Sequence, residues 1–293
     1  LRSVANLLSE FLWKLAIRRK NMLDLIIDEE RCIQCGQCAA TCPAGVLDAS
    51  EGLPRPLAAR EKKCIACQHC LAVCPTGALS IFGLNPDQSS EPADVSPEMS
   101  EMMENLIRRR RSIRRYAKEV VPGAVIDRIM SAVMYAPTGK NTRDVRFTLV
   151  DDVQVMAMVR AKTYAGIRQA AAEERLPEKL SFFIQFANSW DKGGDPIFQH
   201  APHMLVASES AQNSTVEANL FIALSYFELM AVSLGLGTLW CGFGAYALRD
   251  VAPEVARMLG IPEDHRLYVM LFGYPDVRYA RTVQREIQGV HRV

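Results

Sequence analysis

The sequence predicts an α+β protein made of a small duplicated unit followed by a larger, helix-rich one. Three observations carry this expectation. Eight of the nine cysteines fall into two short clusters. Residues 22–82 repeat one pattern twice, and from Met99 onward long helices alternate with short apolar strands. With 293 residues and 49% apolar composition, the chain can fill one large core and a small one. A formal net charge of +1 gives no general attraction to nucleic acid, so electrostatic recognition must be local.

Residues 1–21 read as an amphipathic helix, because Val4, Leu7, Leu8, Phe11, Leu12, Leu15 and Ala16 recur at helical spacing before Arg18, Arg19 and Lys20. Lys14 interrupts its apolar run, which is too short to span a bilayer. The chain starts with Leu1 and its first methionine is Met22. Three roles stay open: a leader or upstream-translated segment, a helix docked on the protein's own surface, or an anchor at a membrane surface. No early stretch has the pattern of a secretory signal peptide.

Residues 22–82 form the duplicated unit, each half reading as strand, cysteine loop, helical turn and strand. Residues 83–98 are rich in Pro, Ser, Asp and Glu and read as a linker, leaving 99–293 as the larger domain. Within it, Pro122 opens a helix marked by Ile126, Ile129, Met130, Val133 and Met134, which Pro137 and Gly139 end. Residues 147–150 and 203–208 read as strands. The most apolar helix covers 216–235 with Gly235 as its cap, and Glu217, Asn219 and Glu228 within it argue for a buried or interface helix, not a membrane span. A last strand ends at Gly273-Tyr274-Pro275, before a basic tail with Arg278, Arg281 and Arg285.

The first cysteine run is Cys32-x2-Cys35-x2-Cys38-x3-Cys42-Pro43, and the second is Cys64-x2-Cys67-x2-Cys70-x3-Cys74-Pro75. Soft thiolates at this spacing suit iron–sulfur clusters. Structural zinc needs four ligands per site, commonly in paired C-x2-C units, and does not account for the third step or the proline. Thiolate ligation of iron needs a reducing compartment, so the sequence points to the cytoplasm. The unit resembles bacterial 2[4Fe–4S] ferredoxins. That resemblance implies crossed ligand sets, Cys32, Cys35, Cys38 with Cys74, and Cys64, Cys67, Cys70 with Cys42. Cys241, far from both runs in an apolar context, reads as a small buried hydrophobe.

Six arginines occupy the eight positions from Arg108 to Arg115. A solvated helix end is the plain alternative. Guanidinium groups with a hydroxyl between them suit a phosphate monoester, because Arg can bind two oxygens at once. Here the sequence resembles the FMN-dependent nitroreductase family in four ordered segments: Arg110-Arg111-Ser112-Ile113-Arg114, Ala136-Pro137-Thr138-Gly139-Lys140-Asn141, Gly235 to Phe243, and Gly273-Tyr274-Pro275 followed by Arg278 and Arg281. The resemblance covers about residues 100–290 and implies a nitroreductase-like α+β sandwich with a central sheet and long interface helices. It gives Arg110, Arg111, Ser112 and Arg114 to the FMN phosphate and part of the ring. Pro137, Thr138 and Asn141 fall to the turn whose Asn bonds the ring, the backbone near Cys241 and Gly242 to the flavin N5, and Arg281 to the phosphate. The segment Asn141-Thr142-Arg143-Asp144-Val145 departs from the family's N-x-Q-P-W. Trp240 stands where a dinucleotide fingerprint would need its third glycine, so no Rossmann site is supported.

The joined modules imply an oxidoreductase in which two [4Fe–4S] clusters feed FMN, and FMN reduces a small organic molecule such as a nitro compound or enone. The donor would be a ferredoxin, a flavodoxin or NAD(P)H, and the family resemblance implies a homodimer. The rival from another class is a non-catalytic electron carrier or redox sensor that serves a protein partner. Residues 163–200 hold Tyr164, Phe182, Phe183, Phe186, Trp190, Phe198 and His200, in the region that covers the flavin in the resembled family. For each aromatic, core packing is the stronger expectation. No catalytic residue is assigned, and His200 and His203 are expected to be structural more than proton donors.

Overall fold

The computed structural model describes residues 23–293; the helix expected over residues 1–21 lies outside them. The chain divides into two compact units between Asp94 and Val95.

In the first unit, strands β1 (Leu25–Ile27) and β4 (Leu79–Ile81) pair antiparallel, as do β2 (Leu47–Asp48) and β3 (Arg55–Pro56). Two one-turn helices, α1 (Gln37–Ala40) and α2 (His69–Ala72), follow the cysteine loops. The first strand of the second half lies upstream of the expected repeat, at Arg55–Pro56, and Glu61–Lys63 forms a 3-10 turn instead. Leu23, Val46, Leu47, Leu71, Leu79 and Ile81 form its core. The loops wind tightly. Gln34 and Ala66 take φ of 54° and 52°, and Gly36 and Gln68 take 71° and 63°, so matching positions in both halves are left-handed. For the non-glycine residues this costs roughly 1–2 kcal/mol each, strain of the kind proteins keep at ligand sites.

The second unit is a four-stranded antiparallel sheet of order β5-β6-β8-β7, formed by β5 (Arg146–Val150), β6 (His203–Ser210), β7 (Gly237–Trp240) and β8 (His265–Gly273). Alternation along the strands sends Leu205, Ala207, Met270 and Phe272 to one face and Met204, Val206, Leu267, Val269 and Leu271 to the other. The first face packs against α4 (Gly123–Val133) and α7 (Val216–Ser233). The second packs against α5 (Val153–Ala172), α6 (Phe183–Trp190), a π-helical turn (Ala247–Val251) and α9 (Pro253–Met258). This is the expected sandwich around a central sheet. Helix α3 (Pro97–Arg109) precedes it, with Ser96 accepting from the Met99 amide as N-cap.

Helix α7 is the one helix among the described residues long and apolar enough to cross a membrane, and half of it is buried in the fold. Its end is a Schellman motif. Gly235 at φ 83° donates to Val232 O and Leu236 donates to Ala231 O, a geometry that favours glycine.

Candidate functional site

In the first unit the crossed cysteine sets come together in space. One cavity is lined by Cys32, Cys35, Cys38 and Cys74, and another by Cys64, Cys67, Cys70 and Cys42. Among the described residues, no three Cys, His, Asp or Glu converge closely enough for a single metal ion. Four thiols ringing a cavity suit a polynuclear cluster, whereas tetrahedral zinc needs four ligands at one point. The fourth cysteine of each run accepts from the amide four residues on. Ala78 N lies 3.2 Å from Cys74 Sγ, and Val46 N lies 3.5 Å from Cys42 Sγ. Arginines brace one half against the other: Arg31 Nε donates to Thr76 O and Arg60 Nη1 to Gly45 O.

Environment acts in opposite directions on Cys38, Cys64 and Cys70 and on Cys74. Burial pushes Cys70 up to about 11 and also raises Cys38 and Cys64, so metal ligation must displace a proton there. At Cys74 burial acts upward as the largest single influence. The amide and hydroxyl donors of Ala78 and Thr76 together outweigh it and hold the thiol below its usual range.

In the second unit the arginine run leaves α3 and lies along the edge of β7. Ser112 bridges Thr238 in parallel, and Ile113 N donates to Thr238 O at 2.8 Å. A Cβ on Gly237 would sit 2.5 Å from Ile113 Cγ1, so this close passage requires glycine. Further on, Ala117 N donates to Tyr274 O and Tyr116 bridges Pro275, so the first and last resembled segments are neighbours.

Arg110 Nη1 reaches Glu228 Oε1 at 3.2 Å. Arg111 donates to the carbonyls of Arg108 and Arg110, and Arg114 to that of Ser112. In the turn after α4, Thr138 Oγ1 accepts from Arg143 N, and Gly139 N donates to Asn219 Oδ1 at 2.9 Å. Lys140, Asn141 and Arg143 all have positive φ, the strained backbone common at ligand sites. Pro137 precedes this turn.

The remaining expected residues divide. The Cys241 amide donates to Val269 O, so it is committed to the sheet and does not face outward as the resemblance implied. Its thiol is buried, donates to Ile197 O and is pushed up to about 12 by burial, which is the small-hydrophobe role expected of it. Gly242 opens the short helix α8 (Gly242–Tyr246). Arg281 lies in the exposed C-terminal segment.

Of the aromatics in 163–200, Tyr164, Phe183 and Phe198 are fully buried core. Phe182 and Phe186 surround Phe243, which follows Gly242 and is 45% exposed. His203 is fully buried, accepts from Val121 N at 2.9 Å and is held below its ordinary value by burial. His200 is exposed at a φ of 53°.

Three buried polar groups went unread in the sequence or were read only as marks of burial. Asp195, with a fully buried side chain, pairs with Arg160 at 2.9 Å, accepts from Tyr164 Oη and caps the turn through Phe198 N and His200 N. Asn219 ties Gly139 to buried Glu209. Glu228 collects Arg110, Thr238 Oγ1 and Trp240 Nε1.

The family model described as the nitroreductase family matches residues 107–274, and a 4Fe-4S dicluster domain matches residues 25–81. The chain belongs to the nitroreductase family. It carries a dicluster ferredoxin domain ahead of the nitroreductase domain, and its class is that of the FMN-dependent oxidoreductases. An iodotyrosine deiodinase of Thermotoga neapolitana is 27% identical over 182 residues, spanning 60% of this chain and 89% of its own length. A provisionally named NAD(P)H nitroreductase of Bacillus subtilis is 29% identical over 180 residues, 60% of this chain and 85% of its own. The solved structure of a nitroreductase with bound FMN from Bacteroides fragilis shares the fold with a TM-score of 0.55 at 21% identity, covering 65% of this chain and 98% of that one.

Proposed function

We propose that this nitroreductase-family chain is an iron–sulfur flavoprotein that passes electrons from two [4Fe–4S] clusters to FMN and on to a small organic acceptor. The observation that carries the reading is the pair of crossed thiol cavities on the same polypeptide as a nitroreductase domain. When bound, the clusters supply single electrons and the flavin converts them to the two-electron reduction that a nitro group, enone or carbon–halogen bond requires.

The chain's own residues bind and orient. Cys32, Cys35, Cys38 and Cys74 hold one cluster, and Cys64, Cys67, Cys70 and Cys42 the other. Arg110, Arg111, Ser112 and Arg114 are assigned to the FMN phosphate and part of the ring, and Arg281 to the phosphate; guanidinium groups with one hydroxyl fit a phosphate monoester. Pro137, Thr138 and Asn141 are assigned to the ring edge, Gly242 to the flavin N5 side, and the exposed ring of Phe243 to its cover. The names of the relatives support a small aromatic or nitro substrate, and the electron donor is assigned as NAD(P)H, which the second relative's name favours, or alternatively a ferredoxin or flavodoxin. Residues 83–98 are assigned as the linker, although Pro97 and Glu98 already form the first turn of α3; the protein is assigned to the cytoplasm as a homodimer. Exposed Met102, Met103 and Ile107 on α3 and Phe221 and Tyr226 on α7 support a second copy as partner.

Steady-state reduction of nitroaromatic and enone substrates by the anaerobic, dithionite-reduced protein tests the reading. Multiple turnovers are expected. Reoxidation by a partner protein alone would instead make the chain a carrier or sensor.

A further inference from the structure

Glu228 is the buried carboxylate on α7 that the resembled segments leave unexplained. Its side chain is 8% exposed, and three donors from two separate segments meet on it. Arg110 Nη1 and Thr238 Oγ1 lie 3.2 and 3.0 Å from Oε1, and Trp240 Nε1 lies 3.0 Å from Oε2. A buried carboxylate is retained only where donors satisfy it, and here they do. One nitrogen of Arg110 is taken in this way. A guanidinium has five N–H donors in a planar fork, so fixing one edge fixes the direction of the other. The Arg110 side chain is 34% exposed, so that other edge remains available to a ligand.

We propose that Glu228 is a positioning residue that orients Arg110 for the flavin phosphate while holding Trp240, which precedes Cys241 and Gly242, in register with it. The inference rests on the FMN reading above. Glu228 makes no contact with the ligand and acts through Arg110. Its negative charge alone would oppose a phosphate, so any benefit to phosphate binding must come from orientation.

The test is calorimetric titration of the full-length, anaerobically deflavinated chain with FMN and with riboflavin, which lacks the phosphate. The wild type should prefer FMN. Glu228→Gln should reduce that preference about tenfold, in the range found when groups that orient a ligand-binding side chain are removed. Glu228→Asp keeps the charge but withdraws the carboxylate by one carbon, and it too should lower the preference, which a direct field effect would not do. In an Arg110→Met background, Glu228→Gln should change the preference no further. An unchanged or increased preference in both Glu228 variants, or an equal loss for riboflavin and FMN, overturns the proposal. A wild type that binds both flavins equally overturns the phosphate reading itself. If Glu228→Gln does not fold, Glu228→Asp decides.

Discussion

The unit up to Asp94 has a core of seven buried residues, Cys70 among them, and only Leu47, Leu79 and Ile81 of these lie on its two-residue and three-residue strands. The unit from Val95 instead sandwiches a sheet between two apolar layers that contain fully buried Tyr164, Phe183, Phe198, Phe227 and Phe272. The first resembles small metallodomains, for which metal binding supplies much of the folding free energy, because the apolar core of about 60 residues is marginal by itself. The second is held by packing. Loss of inorganic cofactor should therefore undo one unit and spare the other.

The largest expected effect comes from Cys70→Ala, which removes a buried thiol from the second cavity. Hydrogen exchange should show amides of residues 25–81 losing protection while strands β6 and β8 keep theirs. Equal loss in both units would break the comparison. Next is Phe227→Ala on α7, whose ring is fully buried and meets Phe272 edge-on at 5.1 Å. It should cost about 3–5 kcal/mol of stability in the second unit. Chemical denaturation followed by Trp fluorescence reads this, and cluster absorbance should hold until the first unit melts.

The smallest effect concerns pH. His203 is neutral in the fold, since burial lowers its pKa below the usual value and its Nε2 accepts from Val121 N, with Asp151 facing it. The unfolded chain then binds more protons, so stability falls as the pH drops below about 6.5 toward the folded value. His203→Gln keeps an acceptor for Val121 N and should flatten the dependence of the melting temperature between pH 7 and 5, relative to wild type. An unaltered slope would assign the acid sensitivity elsewhere, with partly buried His265 the next candidate.

What was legible in the sequence follows from distance along the chain. Cysteine spacing is local, so both runs and their repeat were readable, and the structure brings the four cysteines of each crossed set around one cavity. Strands β5, β6 and β8 and helices α4 and α7 were readable because apolar periodicity is local too. Polar partnerships are not. Arg110 and Glu228 are 118 residues apart, Gly139 and Asn219 are 80 apart, and Arg160 and Asp195 are 35 apart. Glu228 and Asn219 could be read as marks of a buried helix but not as tethers. The backbone of Cys241 shows the same limit, because its amide was expected toward a ligand until pairing with Val269 claimed it.

The central claim, that inorganic and organic redox groups share one chain, is tested most directly by iron, sulfide and flavin analysis of protein purified without oxygen. Two cubane clusters and one flavin correspond to about eight iron, eight acid-labile sulfides and one FMN per chain. Zinc in place of iron, or clusters without flavin, would contradict the account.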